Sequence, residues 1–319
     1  MSFGLRRIGL EDGPSTREAF GEALAEIGSD ERVVVVDGDV NNSTFTNKFK
    51  EKYPDRFFNV GIAESNLVGI ASGLAASGKV PVAASFSVFL LANAFDQIRM
   101  SIAFPNLNVK LVGTHAGVSI GEDGPSQMAI EDVALACALP GFTVVVPADG
   151  VSARAAAKAM IEREGPTFLR CGRPKVPQVY DNESRFHLGK ANTMRSGDDV
   201  TIIANGIMVA MALDAAEELE DDGVSVRVLD MHTVKPVDAD AIERAAVETR
   251  GIVVAEEHLA YGGLGSIVSM VVAERRPTRM SFVDLGDTYA TSGKPDELLA
   301  QFGLTPGAIS DAARRVLKD

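Results

Sequence analysis

From Thr16 to Cys171, short apolar runs that suit buried strands alternate with segments whose apolar residues recur at helical spacing. TREAFGEALAEIG carries the helical pattern and stops at Gly28, and ERVVVVDGD follows as a buried strand ending in acids. FFNVG, the helical segment from Leu67, VPVAASF, the helical NAFDQIRMSIAF, NVKLVGTH, the helical AIEDVALACAL, FTVVVPAD, the helical SARAAAKAMIE and PTFLRC continue the alternation. Such an order restricts the fold, because strands joined by helical crossovers pair in parallel and a parallel sheet needs cover on both faces. RPKVPQVYDNESRFHLGKANTMRSGDD breaks the pattern with prolines and polar residues, and a second alternation starts at Val200 with VTIIANG, VSVRVLDM and IVVAEEH as its strands. The expected fold class is α/β with two domains, each a mainly parallel sheet flanked by helices. The boundaries read as 1–175, a linker at 176–196, and 197–319, in keeping with a prior of ~150 residues per domain. Sites in such sheets lie at the carboxyl ends of the strands, where Asp39, His115 and Arg173 fall.

Charge and hydropathy narrow the partners. The chain is 46% hydrophobic and 24% charged, an ordinary globular composition. No apolar run reaches the ~18 residues that span a bilayer, and MSFGLRRIGLEDG lacks the apolar centre of a signal peptide. A cytoplasmic location with no membrane association is expected. The formal net charge of −13 argues against nucleic acid, which needs a basic face. An anionic substrate would then need a local cluster of Arg, Lys or His inside a cleft. Cys137 and Cys171 form no C-x-x-C and read as reduced structural thiols.

One stretch stands out, NVGIAESNLVGIASGLAASG, in which Glu64 is the single charged residue. Its small residues Gly69, Ala71, Ser72, Gly73, Ala75 and Ala76 would let a second backbone come very close. A lone carboxylate there is costly unless partnered; taken alone, it reads as a helix N-terminal acid satisfied by backbone N–H groups. VVVVDGDVNNSTF has acids and amides after a strand, but its spacing does not match a diphosphate-linked metal motif, and no metal ligand is assigned. GGLGS at 262–266 has the look of a phosphate-cradling turn, but it lacks the full fingerprint, and a turn for close helix–strand packing is the favoured reading. GVSIGEDGPSQMAIED is a loop between a strand end and a helix, crowded with Glu122, Asp123, Ser126 and Gln127. Phe86 and Phe89, three apart, suit either a core or a ring-stacking platform.

Taken in order, DGDVNNSTF, IAESNLVGIASGLA, FSVFLLANAFDQIRMSIA and GTHAGVSIGEDGPSQMAIED resemble the pyrimidine-binding domain of the transketolase family. LDMHTVKPVD and AEEHLAYGGLG resemble its C-terminal domain, and GPSQMAIED is especially similar to the animal branch. The resemblance implies thiamine diphosphate as cofactor, with Glu64 bonded to its pyrimidine ring as the catalytic acid. A carboxyl group in a place poor in water favours proton sharing with a ring nitrogen. It also implies Phe89 against that ring with Phe86 nearby, and Asp39 on the cofactor side. Arg17, Ser43, His115 and Arg173 would surround a sugar phosphate, for which the planar guanidinium fork is suited. Asp123 and Gln127 would meet substrate hydroxyls. Two departures are visible: Ala92 stands where many members have tyrosine, and Gln127 where many have histidine. Full-length members begin with a diphosphate-binding domain, so this chain resembles the C-terminal subunit of a split transketolase. An N-terminal companion would hold Mg2+ or Ca2+, and the two chains would form a heterotetramer acting on sugar phosphates, as in pentose phosphate metabolism. The rival readings are the beta subunit of a 2-oxo-acid dehydrogenase decarboxylating component, a deoxyxylulose-phosphate-synthase-like protein, and a non-enzymatic homologue that only binds a partner.

Overall fold

The computed structural model describes residues 5, 7–181 and 186–318. Part of the linker expected at 176–196, namely 182–185, lies outside the described residues.

The first alternation forms a seven-stranded sheet. Its neighbours run in the order Thr233–Lys235, Thr143–Val145, Thr167–Arg170, Lys110–Thr114, Val80–Phe86, Val33–Asp37 and Phe57–Asn59. Six of these pair in parallel; Thr233–Lys235, lent by the second half of the chain, closes one edge antiparallel to Thr143–Val145. The central strands are buried along their whole length, which is why Val33–Asp37 reads VVVVD and not as an alternating pattern. The helices Thr16–Ile27 and Gly150–Glu162 pack together on one face with Phe20, Leu24 and Met160 inside. The opposite face is covered by Glu64–Ala76 and the segment Phe89–Ala103.

The second alternation forms a five-stranded sheet in the order Met280–Val283, Ile252–Ala255, Val200–Ala204, Val226–Asp230 and Asn192–Arg195. The first four are parallel and the last is an antiparallel edge. The expected two mainly parallel sheets flanked by helices are therefore present. A third, two-stranded element pairs Asp12–Ser15 with Lys175–Pro177.

One local reading changes and another is decided. NAFDQIRMSIAF, expected to be helical, is wound wide at Arg99–Ala103, where Phe104 N–H reaches back to Arg99 O, and the Phe89–Asn93 stretch that leads into it is wound wide as well. Leu90, Leu91, Ala94, Ile98 and Ile102 are fully buried, so the apolar spacing is genuine. A widened turn inserts one residue without disturbing the stripe on either side, and such turns are frequent at functional sites. GGLGS opens the helix Leu264–Arg275, but its N-terminus is already filled: the buried Glu256 carboxylate accepts from Leu264 N–H at 2.8 Å and Gly265 N–H at 2.7 Å. An internal carboxylate stands where a phosphate would bind, so the packing reading holds. Cys137 and Cys171 are free thiols whose pKa burial pushes up to about 12.

Candidate active site

Four neighbouring strands of the large sheet end at Asp37, Phe86, Thr114 and Arg170. The loops that leave these ends carry most of the expected site residues, at the edge where parallel sheets place their ligands. Three of the four non-glycine residues with left-handed backbone among the described residues, Asp39, Phe45 and His115, lie on these loops. Backbone held in that region concentrates at functional sites because surrounding structure must enforce it.

Enforcement around the first loop comes from Asp37, which the sequence reading had passed over. Its buried carboxylate accepts from Val40 N–H at 2.8 Å and from the hydroxyls of Thr44 and Thr46, each at 2.8 Å. Burial raises its pKa and these bonds oppose the rise. The loop is thereby folded so that Ser43 O receives Arg17 Nη1 at 2.8 Å and the Phe45 ring lies 5.3 Å from the Arg17 guanidinium.

Arg17 opens the helix Thr16–Ile27 and connects the site. Besides Ser43 O, it donates from Nε to Arg173 O at 3.3 Å and from Nη1 to His115 Nε2 at 3.2 Å. Arginine only donates, so Nε2 accepts and the His115 proton resides on Nδ1, which donates to Thr114 Oγ1 at 2.9 Å. Burial first, then Arg17 and Arg173, lowers the His115 pKa to about 3. The imidazole is therefore neutral at ordinary pH and the positive charge rests on the two arginines. Burial and the Arg173 charge lower the Arg17 pKa as well. The local cationic cluster that the acidic chain requires for an anion is formed by Arg17 and Arg173, with Ser43 and His115 beside them.

The two aromatic residues lie side by side. Phe86 and Phe89 stack with centroids 6.3 Å apart, and Phe86 also stacks on His115 at 3.8 Å. Glu64, 5% exposed, begins the helix Glu64–Ala76 and accepts from Ser85 Oγ at 2.9 Å through Oε1. Its Oε2 makes no hydrogen bond to a described residue. Thr114 Oγ1 reaches Ser85 O at 3.5 Å, so one strand end, Ser85–Phe86, touches both the carboxylate and the histidine.

Three expected residues stand apart from this cluster. Asp39 is exposed and accepts from Asn59 Nδ2 at 2.6 Å. Gln127 is bonded to its neighbour Ser126 at 3.3 Å. Asp123 is exposed on the loop tip, where its charge is felt by Arg17. Ala92 is exposed in the widened turn.

The second half of the chain braces the site. Arg170 and Asp132 form an ion pair at 2.9 Å with side chains only 6% and 1% exposed, and Ser87 Oγ donates to Asp132 at 2.7 Å. Arg170 also donates to Ala129 O and to Glu257 O, while Glu257 Oε1 accepts from Ser119 N–H at 2.6 Å. The strand end bearing Phe86 and the loop after His115 are thus tied through one buried network to the strand Ile252–Ala255. In the sequence, Asp132 and Arg170 were ordinary charges in a helix and a strand; the one visible signal was an arginine at the end of the otherwise apolar TFLR.

Comparison with known proteins identifies the two domains. Residues 12–178 match the transketolase pyrimidine-binding domain and 189–309 the transketolase C-terminal domain. The chain is 39% identical to a 6-deoxy-6-sulfo-D-fructose transketolase subunit of a Clostridium species, over 94% of both chains. It is 42% identical to human transketolase over 95% of its own length, but spans 49% of that protein. A solved split-gene transketolase, described as an inactive beta4 tetramer, superposes with a TM-score of 0.90 at 44% identity, covering 96% of this chain and 99% of that one. Two contiguous domain matches that together take in most of the chain, and relatives well above 30% identity, show that the protein belongs to the transketolase family.

Proposed function

We propose that this chain is the C-terminal subunit of a split transketolase that moves a two-carbon ketol unit from a ketose phosphate to an aldose phosphate. The observation that carries the substrate class is the joining of Arg17, Ser43, His115 and Arg173 at one strand edge. A 2-oxo acid has no distal phosphate to occupy two guanidiniums, which disfavours the dehydrogenase reading. End-to-end correspondence with the split-gene chain supports the subunit reading.

The family depends on thiamine diphosphate, and the residues present fit its pyrimidine end. A buried carboxylate has one oxygen held by Ser85 and the other without a described partner, and the paired rings of Phe86 and Phe89 offer an apolar surface for a heterocycle. When bound, this cofactor supplies the nucleophilic carbon and the electron sink for breaking a bond next to a carbonyl. Glu64 then shares a proton with a ring nitrogen, and Ser85 fixes the orientation of its carboxyl group. The arginines and neutral His115 hold the distal phosphate, and Asp123 meets a hydroxyl nearer the reacting carbons. Mg2+ or Ca2+ and the diphosphate group belong to the companion chain in this reading. The outward face of the helix Glu64–Ala76, where a Cβ at Gly69 or Gly73 would meet nothing within 4 Å, suits close approach of a second subunit. A cytoplasmic location is part of this reading; no helix among the described residues is long and apolar enough to cross a membrane.

Arg173→Ala tests the substrate class in the reconstituted enzyme. A charge-assisted contact is worth ~1.5 to 3 kcal/mol, so KM for a sugar phosphate should rise on the order of 10- to 150-fold. A short hydroxy-keto acid donor should be nearly unaffected. Equal losses on both donors would return the case to a 2-oxo-acid substrate.

A further inference from the structure

Arg173 is not free in this site. Its Nη1 donates to Ile120 O at 2.7 Å and lies 3.5 Å from Glu122 Oε2, with side chains 36% and 63% exposed. Glu122 therefore holds the guanidinium that the phosphate reading assigns to substrate. Its backbone has little freedom. Gly121 and Gly124 both adopt left-handed φ, and a Cβ on Gly121 would come within 2.9 Å of Pro295 and one on Gly124 within 2.4 Å of Ser292. Gly124 N–H bonds Gly121 O, and Gln127 N–H bonds Gly124 O. The loop is packed against the second half of the chain while the Glu122 side chain projects from it into solvent. A rotamer change of that one side chain is enough to break its pair with Arg173, with no movement of the loop, while the Ile120 O contact stays in place.

We propose that Glu122 is an internal counter-ion of Arg173 that an anionic substrate tail must displace, and that it sets the selectivity between phosphorylated and unphosphorylated substrates. The inference rests on the sugar-phosphate reading of the site. Without a ligand, Glu122 partners Arg173, while the charge of Arg17 is offset by Glu18 and Asp123. With a dianionic tail present, two anions compete for one guanidinium. The more strongly charged ligand, which also reaches Arg17, wins, but its affinity is reduced by the cost of breaking the resident pair. A tail without charge cannot displace Glu122 and gains nothing from its removal.

The test is Glu122→Gln, alone and combined with Arg173→Ala, in the reconstituted two-chain enzyme. An exposed side chain makes misfolding of Glu122→Gln no concern. The ratio of kcat/KM for a ketose phosphate to that for a short hydroxy-keto acid should rise about 2- to 5-fold, the size expected of a half-exposed ion pair. The dissociation constant of inorganic phosphate should fall by a similar factor, and both gains should shrink as salt screens the pair. In the Arg173→Ala background, Glu122→Gln should change neither quantity. An unchanged ratio in the single variant, or the same gain with Arg173 absent, overturns the inference. If Arg173→Ala itself leaves sugar-phosphate KM untouched, the phosphate reading falls and this inference falls with it; an effect of Arg173→Ala without one of Glu122→Gln removes the inference alone.

Discussion

At the residue scale, the site is decided by which groups are held and which are left open. Glu64 has one oxygen fixed and one available, which is the arrangement a proton-sharing acid needs. Glu64→Gln should leave the fold intact, because the amide keeps an oxygen for Ser85, while turnover of the reconstituted enzyme drops ~10²- to 10⁴-fold, the range for a general acid–base group. Circular dichroism beside single-turnover rates checks both halves of this expectation; near wild-type turnover would place the acid elsewhere. Legibility in the sequence followed chemistry. Glu64 was conspicuous as the one charge in a run of small residues, His115 and Arg173 stood out at strand ends, and Arg17 was named only through the family resemblance. Ser85, Thr114 and Asp37 were not singled out. A serine or threonine in a buried strand looks like filler until its partner, distant in the chain, is known, and Asp37 was shadowed by Asp39 two positions later. Asp39 itself was conspicuous and stands turned toward Asn59.

At the element scale, helix ends carry information that spacing does not. The helix Leu264–Arg275 begins in glycines because the Glu256 carboxylate has to reach its first N–H groups. Glu256→Ala should strip two buried donors of their acceptor and destabilise the protein by ~2 to 3 kcal/mol, read as a lower urea midpoint at an unchanged slope. A loss within error would mean that water replaces the carboxylate at this end. The widened turns at Phe89–Asn93 and Arg99–Ala103 show the complementary limit. Apolar periodicity located the segment and its buried stripe correctly, yet it reports only which residues face inward. How tightly the backbone is wound between those residues is something periodicity does not report.

For the whole molecule, the alternation of strands and helices was enough to foresee two mainly parallel sheets, because buried parallel strands leave runs such as VVVV that few other elements tolerate. The crossing of Thr233–Lys235 into the first sheet was not foreseeable, since a three-residue antiparallel edge has no pattern of its own. Near this junction Tyr180 donates to Asp230, a fully buried carboxyl whose pKa burial raises from 3.8 to about 8. Its folded form holds a proton that the unfolded chain releases, so this group's contribution is full below about pH 4 and is lost as pH rises toward about 8. His115 has the opposite sign: its pKa falls from 6.5 to about 3, so its contribution is full above about pH 6.5 and erodes as pH falls toward 3. Asp230→Asn, which keeps an acceptor for Tyr180 and never ionises, should flatten the loss of stability between pH 5 and about pH 8 in urea titrations. An unaltered slope would show that Asp230 ionises in the fold.

We propose that this chain supplies the carboxylate, the ring platform and the phosphate contacts of an active site whose diphosphate-binding part a companion chain supplies. The most direct measurement is ketol transfer from a ketose phosphate to an aldose phosphate by the purified chain, by a companion chain bearing the diphosphate-binding domain, and by their mixture at increasing ratio, all with thiamine diphosphate and Mg2+. The claim predicts silence from either chain alone and turnover that rises with the mixing ratio and saturates when the chains are equimolar. Sustained ketol transfer by this chain alone, at a rate that the companion does not raise, would contradict it.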